Sequence, residues 1–209
     1  METINAAQAI DEIVELLNTR AKGRYGLTAV TQQQHALQCA SLAEQTGEPV
    51  EMVVAALLHD IGHIVHELGE DFADQGVDDL HEELGLRYLA RWFGPEVTEP
   101  VALHVAAKRY LCAAEPDYRA RLSEDSEKSL RLQGEPMSEE ERGTFEGHRF
   151  WREALRLRRL DDLGKDLGAK TPPVEHFRPH LEACVQTGSS TASAASEKMA
   201  STPGSPLVS

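Results

Sequence analysis

The sequence predicts an all-α protein, a single-domain helical bundle, and three observations predict it. Aromatic residues make up 5% of the chain, so its apolar content comes largely from Ala, Leu and Val, which favours helices. Apolar positions recur at helical rather than alternating spacing. Gly and Pro fall between those stretches, where helices stop and restart. A chain of 209 residues is long enough for one compact domain with a real core.

Ile4 to Leu17 opens the bundle, with Ile10, Ile13, Val14, Leu16 and Leu17 on one face. A loop follows at Lys22 to Gly26, holding Tyr25, as readily surface filler as part of a site. A second helix runs from Gln32 to Thr46 and stops at Gly47-Glu48-Pro49. A third, strongly apolar, runs from Met52 to His66. Gly69 to Asp78 is an acidic loop, and a helix from Leu80 to Trp92 comes next. Gly94-Pro95 restarts the chain into a helix through Val97, Val101, Leu103 and Val105. Residues 116–142 read as polar and helical, with Ser126 and Gln133 on one face. A long helix from Glu140 to Leu163 ends at Gly164, and Val174 to Val185 forms a last short one. The domain therefore occupies 1–186. The Ser-, Ala- and Gly-rich stretch 187–209 reads as a disordered tail.

A formal charge of −14 argues against a nucleic-acid-binding surface. No apolar run approaches a membrane span, and the polar start lacks the basic and apolar regions of a signal peptide. Cys39, Cys112 and Cys184 are odd in number and form no CxxC pair. A reduced, cytoplasmic protein with unpaired thiols is expected.

Chemistry concentrates in Leu57-Leu58-His59-Asp60-Ile61-Gly62-His63. His59 and Asp60 lie side by side in an otherwise apolar helix, and a buried carboxylate needs a cation, a metal or a hydrogen-bond network. A purely structural His–Asp pair is the bland alternative. His63 falls one turn after His59. Further helices carry His35, His81, His104 and Asp161, each unremarkable alone. Together four imidazoles and two carboxylates suffice for two octahedral ions sharing Asp60 as a bridge. Nitrogen and oxygen donors without thiolate favour iron or manganese over structural zinc. Lys108 lies one turn beyond His104. Arg158 lies one turn before Asp161 and could equally be a surface ion pair.

The order H…HD…H…H…D is the pattern of the HD-domain superfamily, whose members hydrolyse phosphoesters or activate oxygen. The runs Gln34 to Ala40, Ala55 to His63, His104 to Leu111 and Gln133 to Met137 resemble the HD-domain mixed-valent di-iron oxygenases that cleave carbon–phosphorus bonds. The likeness extends from Tyr25 to His180. It implies that His35, His59, Asp60, His81, His104 and Asp161 hold two iron ions, Fe(II)/Fe(III). It implies that Lys108, Ser126, Gln133 and Arg158 bind a phosphonate, with His63 beside the substrate and Tyr25 able to occupy an iron site beforehand.

Family members acting on 2-amino-1-hydroxyethylphosphonate carry a glutamate three residues after that tyrosine, facing the ammonium. Here the position is Thr28. A trimethylammonium group has no N–H to donate and needs no carboxylate. The resemblance thus implies O2-dependent cleavage of 1-hydroxy-2-(trimethylammonio)ethylphosphonate to glycine betaine and phosphate. An upstream 2-oxoglutarate-dependent hydroxylase would supply that substrate. The alternatives are the unmethylated aminophosphonate, with Asp71 or Asp74 replacing the glutamate, an HD phosphohydrolase, and a catalytically silent binding module.

Overall fold

A computed structural model describes residues 5–23, 30–65 and 80–186. Tyr25, Thr28, Asp71, Asp74 and the stretch 187–209 lie outside them. Among the described residues the chain is all-α, with ten α-helices and no named strand.

Helix α1 (Ala6–Thr19) and helix α2 (Gln32–Gln45) each start at a capping box, Asn5 with Gln8 and Thr31 with Gln34. The second box fixes where α2 begins, and so puts His35 in its first turn. Helix α3 (Val50–Leu58) is the central rod: every residue from Met52 to Leu58 is buried. It packs on α2, on α6 (Pro95–Ala114), on α9 (Trp151–Leu163) and on α10 (Arg178–Cys184). Helices α6 and α9 lie against each other, and the short α4 (Gly62–Val65) lies against α5 (His81–Leu89). Helices α7 (Glu124–Leu132) and α8 (Glu139–Glu146) follow α6, and a smaller apolar cluster of Ala107, Met137, Phe145 and Ala154 joins α8 to α6 and α9.

The described helices depart from the sequence expectation in three places. The stretch 116–142, expected to be helical, holds only a 3-10 turn at Arg119–Arg121, α7 and the start of α8, and positive φ at Gly134 and Glu135 breaks it after α7. The expected helix Met52–His66 ends at Leu58, turns through 59–61, and resumes as α4. The His59 ring Nδ1 donates to the Ala56 carbonyl at 2.9 Å, the acceptor that the Asp60 N–H would use in a continuing α-helix. The chain then tightens into i→i−3 bonds, Ile61 N to Leu58 O and His63 N to Asp60 O, both 3.0 Å. The expected helix Glu140–Leu163 is also two helices, α8 and α9. His148 breaks it: its Nδ1 accepts the Phe150 N–H at 3.2 Å, while Phe150 turns into the core.

Candidate active site

The α3–α4 turn, the first turns of α2 and α5, the middle of α6 and the end of α9 meet around Asp60. His35, His59, His81, His104, Asp60 and Asp161 are all buried there. The two oxygens of Asp60 face different partners. Oδ2 lies 3.6 Å from His35 Nε2 and 3.4 Å from His59 Nε2. Oδ1 lies 3.7 Å from His81 Nε2, 3.6 Å from His104 Nε2 and 4.0 Å from His63 Nε2. Asp161 joins the first group, its Oδ1 3.3 Å from His35 Nε2.

Backbone carbonyls set the imidazole tautomers. Nδ1 of His35 donates to Gly164 O (2.8 Å), that of His59 to Ala56 O (2.9 Å), and that of His104 to Val101 O (2.7 Å). In the neutral ring each Nε2 is then a bare lone pair. Yet His35 Nε2 faces His59 Nε2 at 3.1 Å, and His81 Nε2 faces His104 Nε2 at 3.1 Å. Burial, reinforced by neighbouring imidazoles, holds His104 well below the usual histidine range, and burial lowers His59. Burial also opposes a charge on His35, but Cys39 and Asp161 outweigh it and raise that group. Asp60 and Asp161 stay ionised despite burial, Asp60 through the imidazoles around it and Asp161 through Arg158 and Lys165. Asp60 Oδ2 is buried and accepts no hydrogen bond among the described residues, while Asp161 Oδ1 meets His35 Nε2 at 3.3 Å and Lys165 Nζ at 3.2 Å. Imidazole nitrogens facing each other at 3.1 Å beside a buried carboxylate oxygen that has no donor fit a bound cation. Neighbouring donors on one ion, with bonds near ~2.1 Å, lie roughly 3 Å apart, close to the spacings here. The donor set fits a pair of metal ions, one on each side of Asp60.

Two glycines make these approaches possible, and only the close packing reveals them. A Cβ on Gly62 would stand 1.9 Å from the His81 carbonyl oxygen, so only glycine lets α4 lie on the start of α5. A Cβ on Gly164 would stand 2.4 Å from Cys39 Sγ and 3.2 Å from His35 Nδ1. Cys39, which sequence reading did not place in the site, flanks the His35 ring at 3.8 Å and directs its S–H to Leu160 O at 3.6 Å. Burial raises its thiol above the usual cysteine range, against the pull of His35.

Beside the His/Asp cluster lies a group of cationic side chains. Lys108 is buried, donating to Ser129 Oγ at 2.7 Å and Gln133 Oε1 at 2.5 Å. Arg158 donates to Asp161 Oδ2 at 2.6 Å, to Ser126 Oγ at 3.2 Å, to Tyr118 Oη at 2.9 Å and to Asp162. Tyr118 in turn donates to Asp162 Oδ2 at 2.5 Å. The buried Arg158–Asp161 contact is therefore no surface ion pair. Arg109 and Tyr110 turn outward to Glu141 and Glu146 and take no part. His63 is 27% exposed and stacks on His81 with ring centroids 4.1 Å apart. Lys165, Ser129, Tyr118 and Asp162 joined the pocket without a sequence signal, apart from Lys165 lying one turn beyond Asp161.

A model of the HD domain matches residues 33–146, more than half of the chain. The chain belongs to the HD-domain family. It is 42% identical over 182 residues to the [1-hydroxy-2-(trimethylamino)ethyl]phosphonate dioxygenase (glycine-betaine-forming) of Leisingera caerulea, covering 87% of this chain and 93% of that one. It is 39% identical to the hydroxymethylphosphonate dioxygenase of Gimesia maris, covering 86% and 89%. It is 34% identical to the uncharacterized protein L432 of Acanthamoeba polyphaga mimivirus, covering 82% and 79%. The adjacent His59-Asp60 pair lies within the matched residues, at the turn where the central helix ends. No helix among the described residues is long and apolar enough to cross a membrane.

Proposed function

We propose that this protein is an O2-dependent oxygenase that cleaves the C–P bond of 1-hydroxy-2-(trimethylammonio)ethylphosphonate, giving glycine betaine and phosphate. The observation that carries the reading is one juxtaposition. A divided His/Asp cluster, its halves on the two oxygens of Asp60, lies directly against a buried cationic pocket through Arg158–Asp161. The identity to two phosphonate dioxygenases over most of the chain supports it.

His35, His59 and Asp161 would hold one iron, His81 and His104 the other, with Asp60 between them and His63 beside the second. Bound there, an Fe(II)/Fe(III) pair supplies the redox chemistry that O2 activation requires. The chain's own residues do the rest. Lys108 and Arg158 neutralise the phosphonate, with Ser126, Ser129 and Gln133 as neutral hydrogen-bonding partners. Tyr118 and Asp162 hold the Arg158 fork, so that one guanidinium orients both Asp161 and the anion. Carbon C1 is thereby fixed next to the cluster. Thr28 leaves the substrate's cationic end without a carboxylate at that position. Tyr25 is proposed to fill an iron position before substrate arrives. The reaction requires a preceding hydroxylation at C1, the work of a 2-oxoglutarate-dependent hydroxylase. Unpaired thiols and O2-dependent iron chemistry suit the cytoplasm. Residues 1–186 are proposed as the functional unit.

The second relative acts, by its name, on hydroxymethylphosphonate, so substrate comparison is the test. Iron-loaded protein is offered the trimethylated, unmethylated and hydroxymethyl phosphonates, in air and under strict anaerobiosis. Phosphate released in air with a clear preference for the trimethylated compound supports the reading. Preference for the primary amine discards the Thr28 argument and keeps the chemistry. Phosphate released without O2 from a phosphoester replaces it with hydrolysis.

A further inference from the structure

We propose that Lys165 is a substrate-binding residue, the third cation of the anion pocket. It stands where the pocket meets the metal ligands and recognises the phosphonate's charge. The inference deepens the proposed function and rests on it for the identity of the anion. Lys165 Nζ lies 3.2 Å from Asp161 Oδ1 and 3.3 Å from Ser126 Oγ, and its side chain is only 12% exposed. It therefore bridges a candidate metal ligand and a candidate phosphonate contact.

Its backbone is held on both sides. Gly164 packs against His35 and Cys39 so closely that no Cβ fits. On the other side, the amide of buried Gln38 clamps Asp166. Gln38 Nε2 donates to Asp166 O and Asp166 N donates to Gln38 Oε1, both at 2.9 Å. Such anchoring of a loop lysine between two fixed neighbours is more than a solvated surface charge requires.

Ser126 gathers the polar groups of the pocket at one point. Its Oγ is approached by Arg158 Nη2 at 3.2 Å, Lys165 Nζ at 3.3 Å and the Ser123 hydroxyl at 3.1 Å. Its two lone pairs accept the two cations and its own O–H serves the Ser123 hydroxyl, so Ser126 draws Arg158 and Lys165 to one point. Lys108 adds a third cationic side chain from α6, depressed by burial and then by Arg158 and Lys165. Three cations from α6, α9 and the loop after α9 meet two carboxylates, Asp161 and Asp162, in a largely dry space, leaving a net positive charge that an anion would balance. A phosphonate dianion offers three oxygens. Asp161 is held ionised by Arg158 at 2.6 Å on Oδ2 and by Lys165 at 3.2 Å on Oδ1, so Lys165 joins the candidate metal-ligand carboxylate to the Ser126 end of the pocket.

The test uses iron-loaded wild type, Lys165→Met and Lys165→Arg. Inorganic phosphate and the trimethylated phosphonate are titrated by calorimetry under argon, and iron content is measured on the same samples. Lys165→Met is expected to weaken phosphate binding roughly 10- to 100-fold with iron content unchanged, and to raise KM far more than it lowers kcat. Lys165→Arg is expected to recover most of the affinity. Unchanged phosphate affinity in Lys165→Met overturns the proposal, as does a loss that only tracks lost iron. If wild type binds phosphate and Lys165→Met weakens it while no phosphonate is turned over in air, the oxygenase reading fails and the Lys165 assignment stands.

Discussion

Replacing Gly62 with alanine tests whether the approach of α4 to α5 builds half of the cluster. The new Cβ would lie 1.9 Å from the His81 carbonyl oxygen, 2.7 Å from its carbonyl carbon and 2.9 Å from its Cα. All three atoms are backbone, so no side-chain rotation relieves the overlap. Non-bonded carbon contacts rest near ~3.5 Å, which requires the start of α5 to retreat by roughly 1.5 Å. Site chemistry tolerates only about 0.5 Å. The His81 imidazole should leave its place opposite His104, and Asp60 Oδ1 should lose its partner. Overpacking of this kind costs about 1–3 kcal/mol, roughly 2–12 °C in Tm for a domain of this size. Gly143→Ala is the control. Nothing lies within 4 Å of its Cβ in exposed α8, and it should gain about 0.5–1 kcal/mol. Metal analysis and thermal melts decide the matter: Gly62→Ala should hold about half the metal of wild type and melt lower. Full metal content with wild-type turnover would refute the reasoning.

The Gly164 approach offers a rescue. Gly164→Ala should disturb His35 through the clash with Cys39 Sγ, and adding Cys39→Ala should restore most of the lost metal, because the nearest obstructing atom is then gone. No recovery of metal in the double variant would show that the loop carbonyl, not the thiol, sets the limit. Tyr118→Phe strips an acceptor from Arg158 Nε and a donor from Asp162. It should lower stability by about 1–3 kcal/mol and weaken phosphonate affinity, both measurable by denaturant titration and calorimetry. Lys108 supplies a pH signature: burial, then Arg158, push its ammonium down to about 7. An unfolded lysine titrates near ~10.4, so the folded state binds fewer protons across that window and stability should rise with pH there. The pocket loses this charge above about 7, so phosphonate affinity should fall by up to about tenfold per pH unit. Lys108→Arg should flatten that slope, and a slope unchanged in the variant would contradict the assignment.

The ligand types were legible because chemistry forces them into the open. A His–Asp pair inside the apolar run Met52–Ile61 has no bland resting place, and His104 with Lys108 or Arg158 with Asp161 share a helical face at readable spacing. Helix phasing also gave α1, α2 and α6. What stayed hidden depends on contacts far apart in sequence. The end of α3 at Leu58 comes from a side chain taking a backbone carbonyl, which hydrophobic periodicity does not register. The break at 147–150 comes from the His148 side chain taking a backbone N–H, which residue spacing does not register either. Gly62 and Gly164 read only as helix punctuation, yet each is a point where one segment lies against a ligand-bearing neighbour. Lys165, Gln38 and Tyr118 gain meaning only once α2, α6 and α9 are packed together.

The central claim is that Asp60 divides a pair of metal ions that turn O2 against a phosphonate. The most direct measurement is the fate of the oxygen atoms when the iron-loaded protein cleaves the trimethylated 1-hydroxyphosphonate under 18O2. Converting a hydroxyphosphonate and O2 into a carboxylate and phosphate balances with one oxygen atom entering each product. Label from O2 is expected in glycine betaine and in phosphate, with both lost in Asp60→Asn. Unlabelled phosphate formed at full rate, with oxygen drawn from water and no O2 consumed, would contradict the central claim.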